Sequence, residues 1–157
     1  MELHEVISMV ANVATAAMLM FTVVTYIQTS KRAKRESTIN AYKKLQKTVL
    51  SNLNSFTPSE IRRIVENPKS LEYAKVGELL AEIEHFCVGI NQGIYDLHTF
   101  YKLSHGYFDS DRGMIKPRIE PILEAKLRNA KEDYFCNLHD VWRKMKKIEQ
   151  RQWKRGK

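Results

Sequence analysis

Cysteine, proline, glycine and, over one long stretch, charge are what this sequence has least of. Only Cys87 and Cys136 occur in 157 residues, too few to staple a small secreted scaffold and consistent with reduced thiols in a cytosolic setting. Six Gly and four Pro exclude a collagenous or low-complexity chain. Neither residue occurs between Met1 and Thr57, so nothing there breaks a helix. No segment shows sustained strand alternation, which predicts an all-α protein. Signatures of catalysis are missing as well: there is no phosphate-binding loop, GxSxG elbow, HExxH pair or dinucleotide fingerprint.

The missing charge is the most informative. From Val6 to Ser30 there are 25 consecutive residues without Asp, Glu, Lys or Arg. About 20 helical residues cross a hydrocarbon core of roughly 30 Å, so Val6 to Ile27 is long enough to span a bilayer with some tilt. The flank before it carries Glu2 and Glu5 and no Lys or Arg, whereas Lys31, Arg32, Lys34 and Arg35 follow it. A cleavable signal peptide has the opposite order, with a basic flank first and a shorter apolar stretch. The positive-inside rule then places residues 31 onward in the cytoplasm, with Tyr26 at interface depth. The expectation is a retained, single-pass anchor of a bacterial inner membrane. Lys31, Arg32, Lys34 and Arg35 serve as its topology and lipid contacts.

Within the span, Asn12 is the costliest residue to turn toward lipid. Ser8, Ala11, Asn12 and Thr15 recur at steps of three and four with Leu19, a small and polar stripe on which a second copy can pack, so homo-oligomerisation is expected. The alternative is that Asn12 reaches headgroup water on its own.

Four regions follow: a transmembrane helix over 6–30, a basic juxtamembrane and stalk helix over 31–56, a helical domain over 57–148 and a basic tail over 149–157. Ile39, Tyr42, Leu45, Val49 and Leu53 give the stalk an apolar face, and one helix continuous with the membrane span is expected. Thr57, Pro58 and Glu60 match a capping box with Pro at the first helical position, opening a short helix that ends near Asn67 and Pro68. Leu71 to Ile90 is the strongest core helix, burying Val76, Leu79, Leu80, Ile83, Phe86, Cys87 and Ile90 and turning Glu72, Glu78, Glu82 and Glu84 mostly away. Gly93 closes it in a left-handed cap, and a further helix starts at Asp96. Past Pro117 and Pro121, apolar positions from Ile122 through Tyr134, Leu138, Val141 and Met145 to Ile148 predict one long final helix. The domain is thus expected to hold four or five helices.

The stretch LLAEIEHFCVGINQGIYDLHTFYKLSHGYF, followed by DYFCNLHDVWRKM, resembles the membrane-anchored bacterial and phage proteins grouped as domain of unknown function 4760. The likeness lies in Leu80, Ile83, Phe86, Val88, Gly89 and Ile90, then Gly93, Ile94 and Asp96, and extends more loosely to Tyr134, Leu138 and Trp142. It implies a leading membrane helix before a short helical domain, over Val6 to Met145 in organisation. These are packing and turn positions, so the resemblance implies a fold and no chemistry. His85 departs from it, standing where that family's helix carries an acidic residue.

Geometry limits what the remaining polar groups can do. His85 and Cys87 lie two residues apart, about 200° around a helix, so they do not face one zinc ion together with Cys136 and His139. Glu124 and Lys126 lack the strand acid of a nuclease site, and His139–Asp140 lacks a second His and Asp cluster. No metal and no cofactor is expected, nor enzyme activity. Arg143 to Lys157 holds eight Lys or Arg and one Glu, against a net charge of +8 for the whole chain. A solvated helix end is the simplest reading of this tail, with lipid headgroups or nucleic acid as alternatives; duplex DNA is not an expected partner. His105, Tyr107, Arg112, Lys116 and Arg118 join aromatic and cationic groups beside the loop SHGYFDSDRG, a combination suited to a nucleotide phosphate and base, although a solvated loop is the blander reading. The expectation is a non-enzymatic sensor or effector that couples ligand binding in the helical domain to the membrane, with a cyclic oligonucleotide of antiviral defence as the signal. The alternative is a membrane-tethered scaffold docking a protein partner.

Overall fold

A computed structural model describes residues 3–104, 106–108, 114–129 and 134–155, and among these every regular element is helical. The chain divides into two compact units, Met1–Glu36 and Ser37–Lys157. Helix α1 covers Leu3–Leu45, a π-helical turn follows at Gln46–Leu50, and α2 covers Ser51–Asn54. Then come α3 (Pro58–Glu66), α4 (Leu71–Asn91), α5 (Leu97–Ser104), α6 (Lys116–Asn129) and α7 (Cys136–Arg155).

In the first unit, α1 contains one stretch long and apolar enough to cross a membrane, and none of that stretch is buried within the protein. Met20 and Phe21 are 72% and 74% exposed, values no core helix shows. Thr15, Thr22 and Thr25 donate their hydroxyls to the carbonyls of Ala11, Met18 and Phe21 at 2.8–2.9 Å. Each hydroxyl is therefore satisfied within its own helix.

In the second unit, residues 37–54 supply part of the core. Tyr42, Leu45, Val49, Leu50 and Leu53 are buried, as the apolar spacing predicts, with Leu50 added. Apolar steps of four drift around an ordinary helix; the wider π turn holds Val49 and the adjacent Leu50 on the buried side together. The capping box of α3 is present, with Glu60 N–H donating to Thr57 Oγ1 at 3.3 Å and Thr57 N–H to Glu60 Oε2 at 2.7 Å. Its backbone bond from Thr57 holds the Glu60 carboxyl below the usual carboxylate range. Ser70 caps α4 by accepting the N–H of Tyr73.

The α4 helix forms the spine, burying Val76, Leu80, Ile83, Phe86, Cys87 and Ile90, with Leu79 only partly covered. Burying one such side chain contributes about 1.5–3 kcal/mol, so this face outweighs any single loop contact. Gly93, at φ 75°, ends the helix in a left-handed cap: its N–H reaches the Ile90 carbonyl, and the N–H of Ile94 reaches that of Gly89. The reversal lays the Tyr95 ring against Gly89, stacked on Phe86 with centroids 5.1 Å apart. Asp96 then caps α5, accepting the N–H of Thr99 at 2.7 Å, and its own N–H donates to the buried Thr38 hydroxyl. At the centre, fully buried Phe100 meets Tyr42, Phe86 and Phe108 edge to face at 5.0–5.6 Å.

The final segment differs from the single helix that the periodicity predicts. It contains two helices, α6 packed on α3 and α7 packed on α4, and one straight helix does not serve both partners. Tyr134 lies in a turn and is exposed, while its neighbour Phe135 is buried. The α6 helix also starts earlier than expected and includes both prolines. Pro117 falls in the first turn, where no intrahelical N–H bond is needed. Pro121 forgoes one backbone bond, and burial of Ile119, Ile122 and Leu123 offsets it.

A Cβ placed on Gly89 would lie 2.5 Å from the Tyr95 ring. Gly89→Ala is therefore expected to lower stability by about 1–3 kcal/mol. Gly93→Ala, which forces a side chain into the left-handed region, is expected to cost about 1 kcal/mol. Chemical unfolding in detergent, followed by circular dichroism, checks both.

Candidate functional site

The cation–aromatic cluster beside the Gly-containing loop is drawn into the scaffold where it is described. His105 and Arg112 lie outside the described residues. Tyr107 is half-buried, and its hydroxyl accepts from the Asn54 side-chain amide. Arg118 donates through Nε to the Phe56 carbonyl at 3.0 Å and through its terminal nitrogen to the Met114 carbonyl. Tyr107 and Arg118 thus converge on the link between α2 and α3, Tyr107 accepting from the Asn54 amide nitrogen at the end of α2 and Arg118 donating to the Phe56 carbonyl. Lys116 pairs with Glu120 at 3.8 Å on the same helix.

The candidate oligomer contacts Ser8, Ala11, Asn12 and Thr15 are all exposed on α1, and the Thr15 hydroxyl is engaged with its own backbone. Lys31, Arg32 and Arg35 are exposed and Lys34 is half-buried; Arg32 pairs with Glu36 at 3.4 Å.

A polar clasp along the α4–α7 seam is not evident from the sequence pattern. Glu84, expected to point mostly away, caps α7: one carboxylate oxygen accepts the Asn137 N–H at 3.0 Å, the other the Leu138 N–H at 2.9 Å. A negative charge here satisfies first-turn amides and complements the helix dipole. Farther along, Asn91 donates to Asn137 Oδ1 and accepts from Lys144 Nζ, which also meets Asp140 at 2.7 Å. The Lys144 bond, with Arg143 and Lys147 nearby, holds the Asp140 carboxyl below its usual range. Asn91 and Lys144 are separated by 53 residues, so no local pattern announces them.

Cys87 is fully buried, and burial, with the Glu84 charge nearby, raises its thiol pKa well above the ordinary value; it is a core side chain rather than a nucleophile. His85, two residues away, is exposed. Among the described residues no group of three or more His, Cys, Asp or Glu is placed to hold a metal.

Two of the grooves among the described residues lie in the second unit. One, of about 220 Å³, runs between α1 and α4 past Lys44, Thr48, Glu82, His85 and Tyr95. The other, of about 380 Å³, lies over α3 between Phe56, Glu60, Arg63, Asn67 and Glu72. Ligand pockets for drug-sized molecules span roughly 300–1,000 Å³, so the first is small for a nucleotide. The second sets two carboxylates against one guanidinium, a poor match for a polyanion.

No protein-family model, curated protein or solved structure matches the chain.

Glu84→Gln removes the charge from the α7 cap and is expected to cost about 1–2 kcal/mol at neutral pH. Because the Asp140 pKa is lowered on folding, the unfolded chain takes up that proton first. The clasp's contribution is present above the usual carboxylate range and falls as pH drops through it. Asp140→Asn should flatten part of that acid slope; unfolding titrations at several pH values check both statements.

Proposed function

We propose that this chain is a single-pass, non-enzymatic membrane sensor or effector, anchored in a bacterial inner membrane by Val6–Ile27 with its helical domain in the cytoplasm. The observation that carries the reading is the apolar stretch of α1 over Val6–Ile27, whose side chains are exposed. A helix apolar on every side is stable when buried in protein or in lipid. Intrahelical bonds from Thr15, Thr22 and Thr25 lower the cost of the second environment. The basic residues Lys31, Arg32, Lys34 and Arg35 set the orientation. The likeness to domain of unknown function 4760 belongs to the same proposal, as does association of copies along Ser8, Ala11 and Asn12.

The signal in this reading is a cyclic oligonucleotide of antiviral defence. The two grooves described above are poor matches for such a polyanion; in this reading the ligand is held between copies and biases their packing through differential affinity for two arrangements. The second reading is a membrane-tethered scaffold whose helical surface docks a protein partner. Oligomeric mass in detergent, with and without a panel of cyclic oligonucleotides, separates them: a ligand-dependent change supports the first and indifference the second.

Insertion is tested by extraction and protease access. The native chain should stay in the membrane pellet through alkaline carbonate, and its domain should be cleaved in inverted vesicles but protected in intact spheroplasts. Ala17→Arg, near the centre of the span, should oppose insertion by roughly 2.5–3.5 kcal/mol and move protein to the supernatant. Native chain recovered in that supernatant as a stable monomer contradicts the proposal.

A further inference from the structure

The basic carboxy-terminal region is not a separate tail: α7 remains helical through Arg155. Its buried seam runs through Leu138, Val141 and Met145. At 100° per residue, Lys147, Arg151 and Lys154 fall within one narrow stripe on the opposite side, and all three are exposed. Trp153 lies about 100° around the helix from Lys154, outside this stripe, and is 68% exposed. After Asp140 the only acidic residue of α7 is Glu149, which lies off the stripe, one turn before Trp153 and about 40° from it around the helix. An exposed Trp and clustered Lys and Arg at one helix end are the side-chain chemistry of a bilayer interface, where the indole sits at headgroup depth and the cations meet anionic lipid.

The end of α7 also lies at a particular place within the second unit. The Tyr101 hydroxyl donates to Gln152 Oε1 at 3.3 Å. Tyr101 is on the first turns of α5, and the residue capping that helix, Asp96, donates its N–H to Thr38. Five helical residues span about 7.5 Å, so two hydrogen bonds across α5 bring the end of α7 close to Thr38. The second unit begins at Ser37, and the basic cluster Lys31–Arg35 immediately precedes it in the chain.

We infer that the exposed stripe of α7, with Trp153, is a second membrane contact that docks on the anionic lipid surface of the leaflet from which the domain emerges. This deepens the membrane reading above and rests on it for the choice of a bilayer as partner. Nucleic acid shares the attraction to cations, but the location of the α7 end near Thr38 and its single exposed indole favour lipid. Docking holds the domain against the leaflet, and its strength depends on anionic lipid content and on salt.

The test uses the full chain in phosphatidylcholine vesicles and in vesicles that also contain phosphatidylglycerol, each with brominated acyl chains. Trp153 is read as the difference in fluorescence quenching between the native chain and Trp153→Phe, which leaves Trp142 unchanged. The inference expects Trp153 to be quenched in the anionic vesicles and released by salt. The triple variant K147Q, R151Q and K154Q should weaken docking on the order of 100-fold, from the loss of three interfacial cations. Carbonate resistance of the same samples scores insertion separately. Inserted protein whose Trp153 is not quenched overturns the docking surface and leaves the anchor standing. Protein that does not insert overturns the anchor; salt-sensitive quenching of Trp153 on anionic vesicles still supports the surface, and its absence overturns it. Salt-sensitive retention of single-stranded RNA that the triple variant loses, without quenching by lipid, assigns the stripe to nucleic acid and overturns the inference.

Discussion

The constraint on which the account depends is an apolar surface with no partner in its own chain. Along Val6–Ile27 the side chains face outward on every side of α1, and even large ones such as Phe21 and Tyr26 stay uncovered. Exposure of that much contiguous apolar area to water is unfavourable by about 25 cal/mol for each Å², so the segment calls for an apolar medium or other copies of itself. Within the helix the backbone groups are satisfied by the helical ladder, and the hydroxyls of Thr15, Thr22 and Thr25 by carbonyls one turn back. This is the condition a lipid environment imposes on any segment that crosses it.

The second unit is organised around a different interaction, the close approach of Tyr95 to Gly89. Because residue 89 lacks a Cβ, the chain leaving α4 can turn back over it, stack Tyr95 on Phe86 and start α5 directly against α4. That placement sets Phe100 among Tyr42, Phe86 and Phe108 and brings the Asp96 N–H to Thr38. On the other side of α4, Glu84 fixes the start of α7 and Lys144 reaches across to Asn91. The spine is thus held by aromatic packing on one flank and by polar bonds on the other.

Features governed by near neighbours were legible in the sequence. The Thr57–Glu60 capping box, the left-handed Gly93, the start of a helix at Asp96 and the apolar face of α4 are each decided within a few residues. The break between α6 and α7 was not, because the two helices answer to different partners and the cap on α7 comes from Glu84, more than 50 residues away. Spacings of four and three through Tyr134, Leu138 and Val141 imitate an uninterrupted helix, while the buried aromatic is Phe135. The candidate ligand cluster illustrates a related limit. Composition brings out the cations and aromatics near the loop, but it does not reveal that backbone carbonyls claim Arg118 or that Asn54 meets Tyr107. For the candidate anchor the pattern and the structure address the same quantity, apolar surface, and they coincide.

Amide hydrogen exchange on the full chain in native membrane vesicles tests the central claim most directly. If Val6–Ile27 lies in lipid, its amides should remain unexchanged at times when those of Lys31–Glu36 have exchanged, and solubilising the bilayer in denaturant should abolish the difference. Exchange through Val6–Ile27 as rapid as in the neighbouring basic segment, with the bilayer intact, would contradict the account.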